Sequence, residues 1–137
     1  MKLQLSEFKL IERKLIFYTK LEGRITFGQF FEENELYEVF PNWYVSYDKK
    51  RVYFAEIKDS VQDGIRWIMP LLEKSITQTR LPIIITIDTF ESIWVDFQPE
   101  IMKIAVPKWL AENLGFSLPI WEYQVIGDSK RIEIQLK

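Results

Sequence analysis

The chain contains neither cysteine nor histidine among its 137 residues. The absence of cysteine excludes disulfides and thiolate metal sites. The absence of histidine excludes histidine-containing zinc sites, histidine general bases and the usual serine or cysteine catalytic triads. Any chemistry would therefore depend on carboxylates, lysine, tyrosine, serine or threonine. A bound metal would need oxygen ligands, which suit Mg²⁺ or Mn²⁺.

Excess charge of one sign and long apolar segments are also lacking. The formal net charge is −2, so no global basic field attracts nucleic acid, although a local basic groove is compatible with this value. The longest apolar runs, such as Ile83-Ile84-Ile85, are too short to span a bilayer. The N-terminus has no signal-peptide apolar stretch. We therefore expect a cytoplasmic protein with no membrane partner.

The composition is that of an ordinary folded domain. Hydrophobic residues make up 47% and charged residues 28%, which excludes a disordered chain. No repeat, low-complexity tract or Gly/Ser linker divides the sequence. We expect a single domain over residues 1–137, of the α/β class, with a mixed central β-sheet flanked by helices.

The N-terminal part favours a helix over residues 6–22. Its apolar residues recur at three- and four-residue spacing, with Ser6 as a cap and Gly23 after the last turn. A strand over 14–20 is the alternative, because Ile16-Phe17-Tyr18-Thr19 has strand-favouring side chains. Residues 25–40 give no clear pattern, although 25–31 could form a strand.

A β-hairpin is the clearest local prediction. Trp43, Val45 and Tyr47 alternate in its first strand, and Asp48-Lys49-Lys50 makes the turn. The second strand would carry Val52, Phe54, Glu56 and Lys58 on one face.

The next segments predict a helix followed by a buried strand. A helix over about 60–79 has a stripe of Val61, Ile65, Ile68, Leu72 and Ile76, which Pro70 should kink or split. The near-continuous apolar run 81–87 is typical of a central parallel strand. Ile93–Phe97 is a candidate strand and Pro107–Leu114 a short helix. A last hairpin, 120–126 with 131–136, lies in a C-terminal extension that covers about 98–137.

Glu56 and Lys58 form the candidate chemical site. On a strand, residues two apart point the same way, so this pair would present a carboxylate and an ammonium together. A metal-dependent nuclease needs carboxylates for the ion and a cation near the attacking water and the scissile phosphate. The same spacing also occurs on solvated strand faces.

The run from Pro41 to Lys58 resembles the PD-(D/E)xK nuclease superfamily, in which Pro-Asp begins one strand and the partner strand ends in E-x-K. A helix and an apolar strand follow, as they do here over 60–87. Leu10-Ile11-Glu12-Arg13 and Phe31-Glu32-Glu33 are similar to the first helix of heteromeric-transposase endonuclease subunits, and small resolvase-like nucleases share the pattern. The resemblance implies a restriction-endonuclease-like fold with a nuclease core over about 6–97.

The resemblance implies a Mg²⁺- or Mn²⁺-dependent DNA endonuclease, often a homodimer. Its metal ligands would be Glu56, Asn42, the carbonyl of Ile57, and Glu12 with Glu7 as the substitute. Lys58 would orient or deprotonate the attacking water. Lys49, Lys50, Arg51 and Gln62 would contact DNA, although a basic run at a turn is also typical of a solvated surface.

Asn42 departs from the family pattern, because it stands where the superfamily has Asp. An amide carries no charge and binds divalent ions weakly. The site is then naturally inactive, altered by an engineered change, or differently aligned, with Glu32, Glu33 or Glu35 as the acidic ligand. The alternative function is a non-enzymatic inhibitor or immunity-type protein, whose carboxylates and aromatics cover a basic site on another protein.

Overall fold

A computed structural model describes residues 4–12, 15–28, 34–48, 55–76, 80–92, 99–117, 121–126 and 131–136. The strands are β1 (Gln4–Glu12), β2 (Leu15–Phe27), β3 (Glu35–Phe40), β4 (Trp43–Tyr47), β5 (Ile83–Ser92), β6 (Trp121–Ile126) and β7 (Arg131–Leu136). The helices are α1 (Ala55–Ser75) and α2 (Met102–Leu114), the latter preceded by a 3-10 helix at Pro99–Ile101. Neither α1 nor α2, the α-helices of this described part, combines the length and apolarity that a bilayer crossing requires.

The main sheet has five strands in the order β1-β2-β5-β4-β3. Strands β4 and β5 are parallel and α1 connects them, whereas the β1–β2, β2–β5 and β3–β4 pairs are antiparallel. The predicted α/β class, the mixed sheet and the central parallel position of the isoleucine-rich strand are therefore confirmed.

The core forms where both helices pack against the sheet. Ile83, Ile85 and Ile87 of β5 are almost fully buried and belong to the same cluster as Val61, Ile65, Ile68 and Leu72 of α1. Residues of α2 complete it, among them Trp109, which is fully buried. The apolar run and the helical stripe in the sequence thus correspond to one interface.

The predicted helix over 6–22 is wrong, because this segment forms β1 and most of β2. The two strands pair from Gln4 opposite Gly23 to Glu12 opposite Leu15. Gly23 does not end a helix; it lies inside β2, where the register against β5 shifts. The strand-favouring side chains over 16–19 carried the better signal, because sheet pairing overrides a helical spacing of apolar residues.

Helix α1 begins at Ala55, within the segment predicted to be the second strand of the hairpin. The strand paired antiparallel with β4 is instead β3. Ser60 lies inside this helix, and its hydroxyl donates a hydrogen bond to the Ile57 carbonyl at 2.8 Å. Pro70 lies on the exposed side of α1, which continues to Ser75 without splitting.

The C-terminal part follows the prediction more closely. Strands β6 and β7 form the expected antiparallel hairpin, as a separate two-stranded sheet. Gly115 ends α2 in the left-handed conformation, with its N–H donating to the Ala111 carbonyl. Helix α2 begins earlier than predicted, so Pro107 lies inside it and is buried. The candidate strand Ile93–Phe97 lies outside the described residues.

Candidate functional site

Glu56 and Lys58 do not share a strand face, and this prediction is wrong. Both lie in the first turns of α1, where residues two apart point about 200° away from each other. Glu56 is exposed, whereas the Lys58 side chain is only 12% exposed. The carboxylate and the ammonium therefore do not face one shared metal or phosphate position.

Ile57 is part of the core rather than of a polar site. Its side chain is 2% exposed and belongs to the cluster that joins α1 to the sheet. Its carbonyl, the predicted extra metal ligand, accepts the hydroxyl of Ser60. Burial of Ile57 sets the rotation of the helix start, which is why Glu56 turns to solvent.

Asn42 lies at the opposite end of β4 from Lys58. It occupies the turn between β3 and β4 with φ of 71°, and its amide donates to the Leu81 carbonyl at 3.0 Å. Lys58 contacts Tyr47, the last residue of β4. Five extended residues span roughly 13 Å, so the structure does not bring Asn42 to Lys58.

Two further residues predicted as metal ligands, Glu12 and Glu7, lie on β1. Glu12 is the last residue of β1, which β2 and β5 separate from β4. Glu7 is exposed on β1 and accepts a hydrogen bond from Tyr18 at 3.4 Å. Glu32, Glu33, Lys49, Lys50 and Arg51 lie outside the described residues. Within the part that is described, no group of three or more acidic side chains could hold a metal ion.

The structure instead joins Lys58 to Glu35, which the sequence offered only as an alternative acidic residue. Lys58 Nζ lies 2.5 Å from Glu35 Oε2 and 5.9 Å from the centre of the Tyr47 ring. Tyr37 donates its hydroxyl to the same Glu35 oxygen at 2.7 Å, and its ring meets Tyr47 edge-on at 5.9 Å. We call Glu35, Tyr37, Tyr47, Lys58 and Asp59 the β3–α1 seam.

Charge and burial in this seam act on its two phenols. Hydrogen bonding to Glu35 raises the pKa of Tyr37 most, followed by burial and by the negative charges of Glu35 and Asp59. Asp59, which sequence reasoning did not single out, directly follows Lys58 in α1. Burial raises the pKa of Tyr47 far above its usual value, with a smaller opposing effect from a Gln62 hydrogen bond.

Gln62, predicted to contact DNA, has an internal role. It is 9% exposed, and its carbonyl oxygen lies 3.4 Å from Arg66 Nη2. The Tyr47 hydroxyl that it contacts also donates to the Lys58 carbonyl at 2.9 Å. Gln62 therefore links α1 to β4 through a buried phenol.

The buried phenol predicts a loss of stability in alkali. Because the folded state holds the Tyr47 proton more tightly than the unfolded state, its stabilising effect is complete below the unfolded pKa of about 10 and is lost as the pH rises further. The free energy of unfolding should fall by up to about 1.4 kcal/mol per pH unit from this group.

Urea unfolding of the parent and of Tyr47→Phe between about pH 9 and about pH 11 checks this loss. Tyr47→Phe should show the shallower decline, although it is about 1 kcal/mol less stable at neutral pH because the Lys58 carbonyl loses its donor. Equal alkaline slopes for the two chains would contradict the assignment.

Comparison with known proteins gives no relative. No family model matches the chain, and no curated protein and no solved structure is significantly similar to it.

Proposed function

We propose that the chain is a non-enzymatic protein-binding domain of the inhibitor or immunity type, which covers a basic site on another protein. The observation that carries this proposal is the surface of β3, an end strand of the main sheet. Leu36, Tyr37 and Phe40 are each about 40% exposed there and account for three of the five exposed large hydrophobic residues in the described chain. Leu36 and Tyr37 point to opposite faces of β3, so a partner that covers this edge of the sheet would contact both. Exposed apolar side chains gathered along one edge are typical of interaction surfaces.

The charges around β3 favour a basic partner. Glu35 and Glu38 lie among the apolar residues of the strand. The adjoining start of α1 adds the exposed carboxylates Glu56, Asp59 and Asp63. Among the described residues, Lys58 pairs with Glu35 and Arg66 with Asp63. The described part of this surface therefore has more carboxylates than cations, an arrangement that attracts and orients a basic protein surface.

The arrangement of the predicted nuclease residues also favours binding over catalysis. Lys58 is neutralised by Glu35, Asn42 is at the other end of β4, and Glu56 points to solvent. A general base must lie within hydrogen-bond reach of its substrate, and a metal needs converging oxygen ligands. Neither condition is met by these three residues.

We propose as a second candidate a degenerate relative of the PD-(D/E)xK nucleases, with the restriction-endonuclease-like fold. The observation in its favour is the order of β4, α1 and β5, in which a helix links two parallel strands. Mg²⁺ or Mn²⁺ as cofactor, DNA as partner and homodimer formation belong to this candidate alone.

A cleavage assay separates the two candidates. We expect no cleavage of plasmid or branched DNA with Mg²⁺ or Mn²⁺, from the parent chain or from Asn42→Asp, because position 42 is remote from Lys58. Cleavage by Asn42→Asp that disappears when Lys58→Ala is added would favour the nuclease instead.

The binding proposal is tested directly by photo-cross-linking. A photoreactive residue at Leu36, with the same residue at the exposed Lys74 as control, is used in cells that make the chain. The protein captured only from position 36 is then purified. We expect a one-to-one complex whose Kd rises at least about tenfold with Leu36→Asp. A Kd that Leu36→Asp leaves unchanged would contradict a binding role for β3.

A further inference from the structure

In the β3–α1 seam, Tyr47 and Glu35 together surround one cation, the Lys58 ammonium. The Lys58 ammonium lies near the Tyr47 ring and forms a short ion pair with Glu35. An aromatic face combined with a carboxylate is a strong environment for a positive side chain, because ring quadrupole and charge act together.

Two exposed residues of the seam, Tyr37 and Asp59, also present an aromatic ring and a carboxylate. Tyr37 is 39% exposed, and its ring is fixed by the hydroxyl bond to Glu35 and by the edge contact with Tyr47. Asp59 is exposed and directly follows Lys58 in α1. The Lys58 ammonium contacts the same Glu35 carboxylate as the Tyr37 hydroxyl, which places Asp59 at this part of the seam. Among the described residues, Asp59 forms no ion pair, and no lysine or arginine lies over the Tyr37 ring.

We propose that Tyr37, Asp59 and Glu35 form a recognition site for an arginine side chain of the partner protein. The proposal rests on the protein-binding function proposed above and names the chemistry of that partner. The guanidinium would lie on the Tyr37 ring and donate to the Asp59 carboxylate, with Glu35 adding negative charge. Arginine suits the site better than lysine, because its planar group stacks on rings and donates two parallel hydrogen bonds to a carboxylate.

Side-chain recognition fits this surface better than addition of a partner strand to β3. The pairing of β3 with β4 shifts register between Glu38 and Phe40. Arg66 Nε lies 3.4 Å from the Val39 carbonyl, which occupies that part of the strand. A bulge and an engaged carbonyl are features that protect sheet edges from pairing.

The experiment is an NMR titration of the full chain at low salt with acetyl-triarginine amide. Acetyl-trilysine amide, of equal charge, is the comparison ligand. We expect the largest amide shifts at Tyr37, Asp59 and their neighbours, and weaker binding of the lysine peptide. Shifts spread over other acidic surfaces, or equal binding of the two peptides, would overturn the proposal.

Two variants and a matched control sharpen the test. Asp59→Asn and Tyr37→Leu should each weaken triarginine binding about threefold to fivefold, as expected for an exposed cation contact. Glu73→Gln removes the same charge from an exposed position near the other end of α1 and should have no effect. Equal weakening by Asp59→Asn and Glu73→Gln would show unspecific attraction and overturn the site. The spectrum of each variant reports whether it is folded.

The outcomes also distinguish the arginine site from the protein-binding function on which it rests. If triarginine fails but the captured partner still depends on Leu36, the arginine site is wrong and the binding function stands. If no partner depends on Leu36, the binding function is wrong, whatever the peptide titration shows.

Discussion

Gly23→Ala should remove most of the folding stability of this protein. A methyl group at position 23 would lie 2.1 Å from the backbone oxygen of Thr86 and 3.1 Å from Cζ2 of Trp109. The oxygen belongs to the central strand and the indole is fully buried, so neither can move without disrupting the core. We expect the free energy of unfolding to fall by more than about 4 kcal/mol, a loss that is typical of severe core defects.

Urea denaturation followed by tryptophan fluorescence measures this loss. Glu22→Ala is the matched control, because it alters the neighbouring, partly exposed residue of the same strand. Its free energy of unfolding should change by less than about 1 kcal/mol. A Gly23→Ala chain as stable as this control would show that β2 and β5 are less closely packed than described.

Gly64→Ala tests the contact between the two helices, and the sign of its effect is informative. Alanine is favoured over glycine in a helix by about 1 kcal/mol, so α1 alone would be stabilised. In the folded chain, however, the added methyl would lie 2.6 Å from the Met102 carbonyl oxygen and 3.1 Å from the Val106 Cβ. We expect the clash to outweigh the propensity, with a net loss of about 2 kcal/mol.

The midpoint of urea unfolding decides the sign for Gly64→Ala. Asp63→Ala, at the adjacent exposed position, serves as control and should stay within about 0.5 kcal/mol of the parent. A higher midpoint for Gly64→Ala would mean that α1 and α2 have room between them, and their packing would need revision.

The parts of the fold that could be predicted are those in which a short stretch of sequence indicates which side chains are buried. Ile83 to Ile87 is apolar except for Thr86, and such a run is typical of a strand that is buried on both faces. The stripe of α1 has helical spacing, so its central part was also predictable. Extending that stripe back by four residues from Val61 reaches Ile57, the signal that could have placed the helix start correctly.

The candidate site was less predictable because its residues meet through distant pairing. Lys58 and Glu35 are brought together only once β3 has paired with β4 and α1 has crossed to β5. Nothing within a short window of sequence gives that register. In a strand, residues two apart share a face, and on that basis Glu56 and Lys58 were predicted to point the same way. The prediction failed because this segment forms a helix, in which Ile57 is buried.

The arrangement of the central strand has a consequence for how the chain reaches its folded state. Strand β5 pairs on one side with β2, so that Ile85 meets Ile25 across about half the length of the chain. Closing so long a loop before its contacts form is entropically costly and slows folding. During synthesis the N-terminal hairpin must therefore wait for Ile83–Ser92 to emerge before the sheet can close. We expect refolding to be slower than in helical proteins of this size.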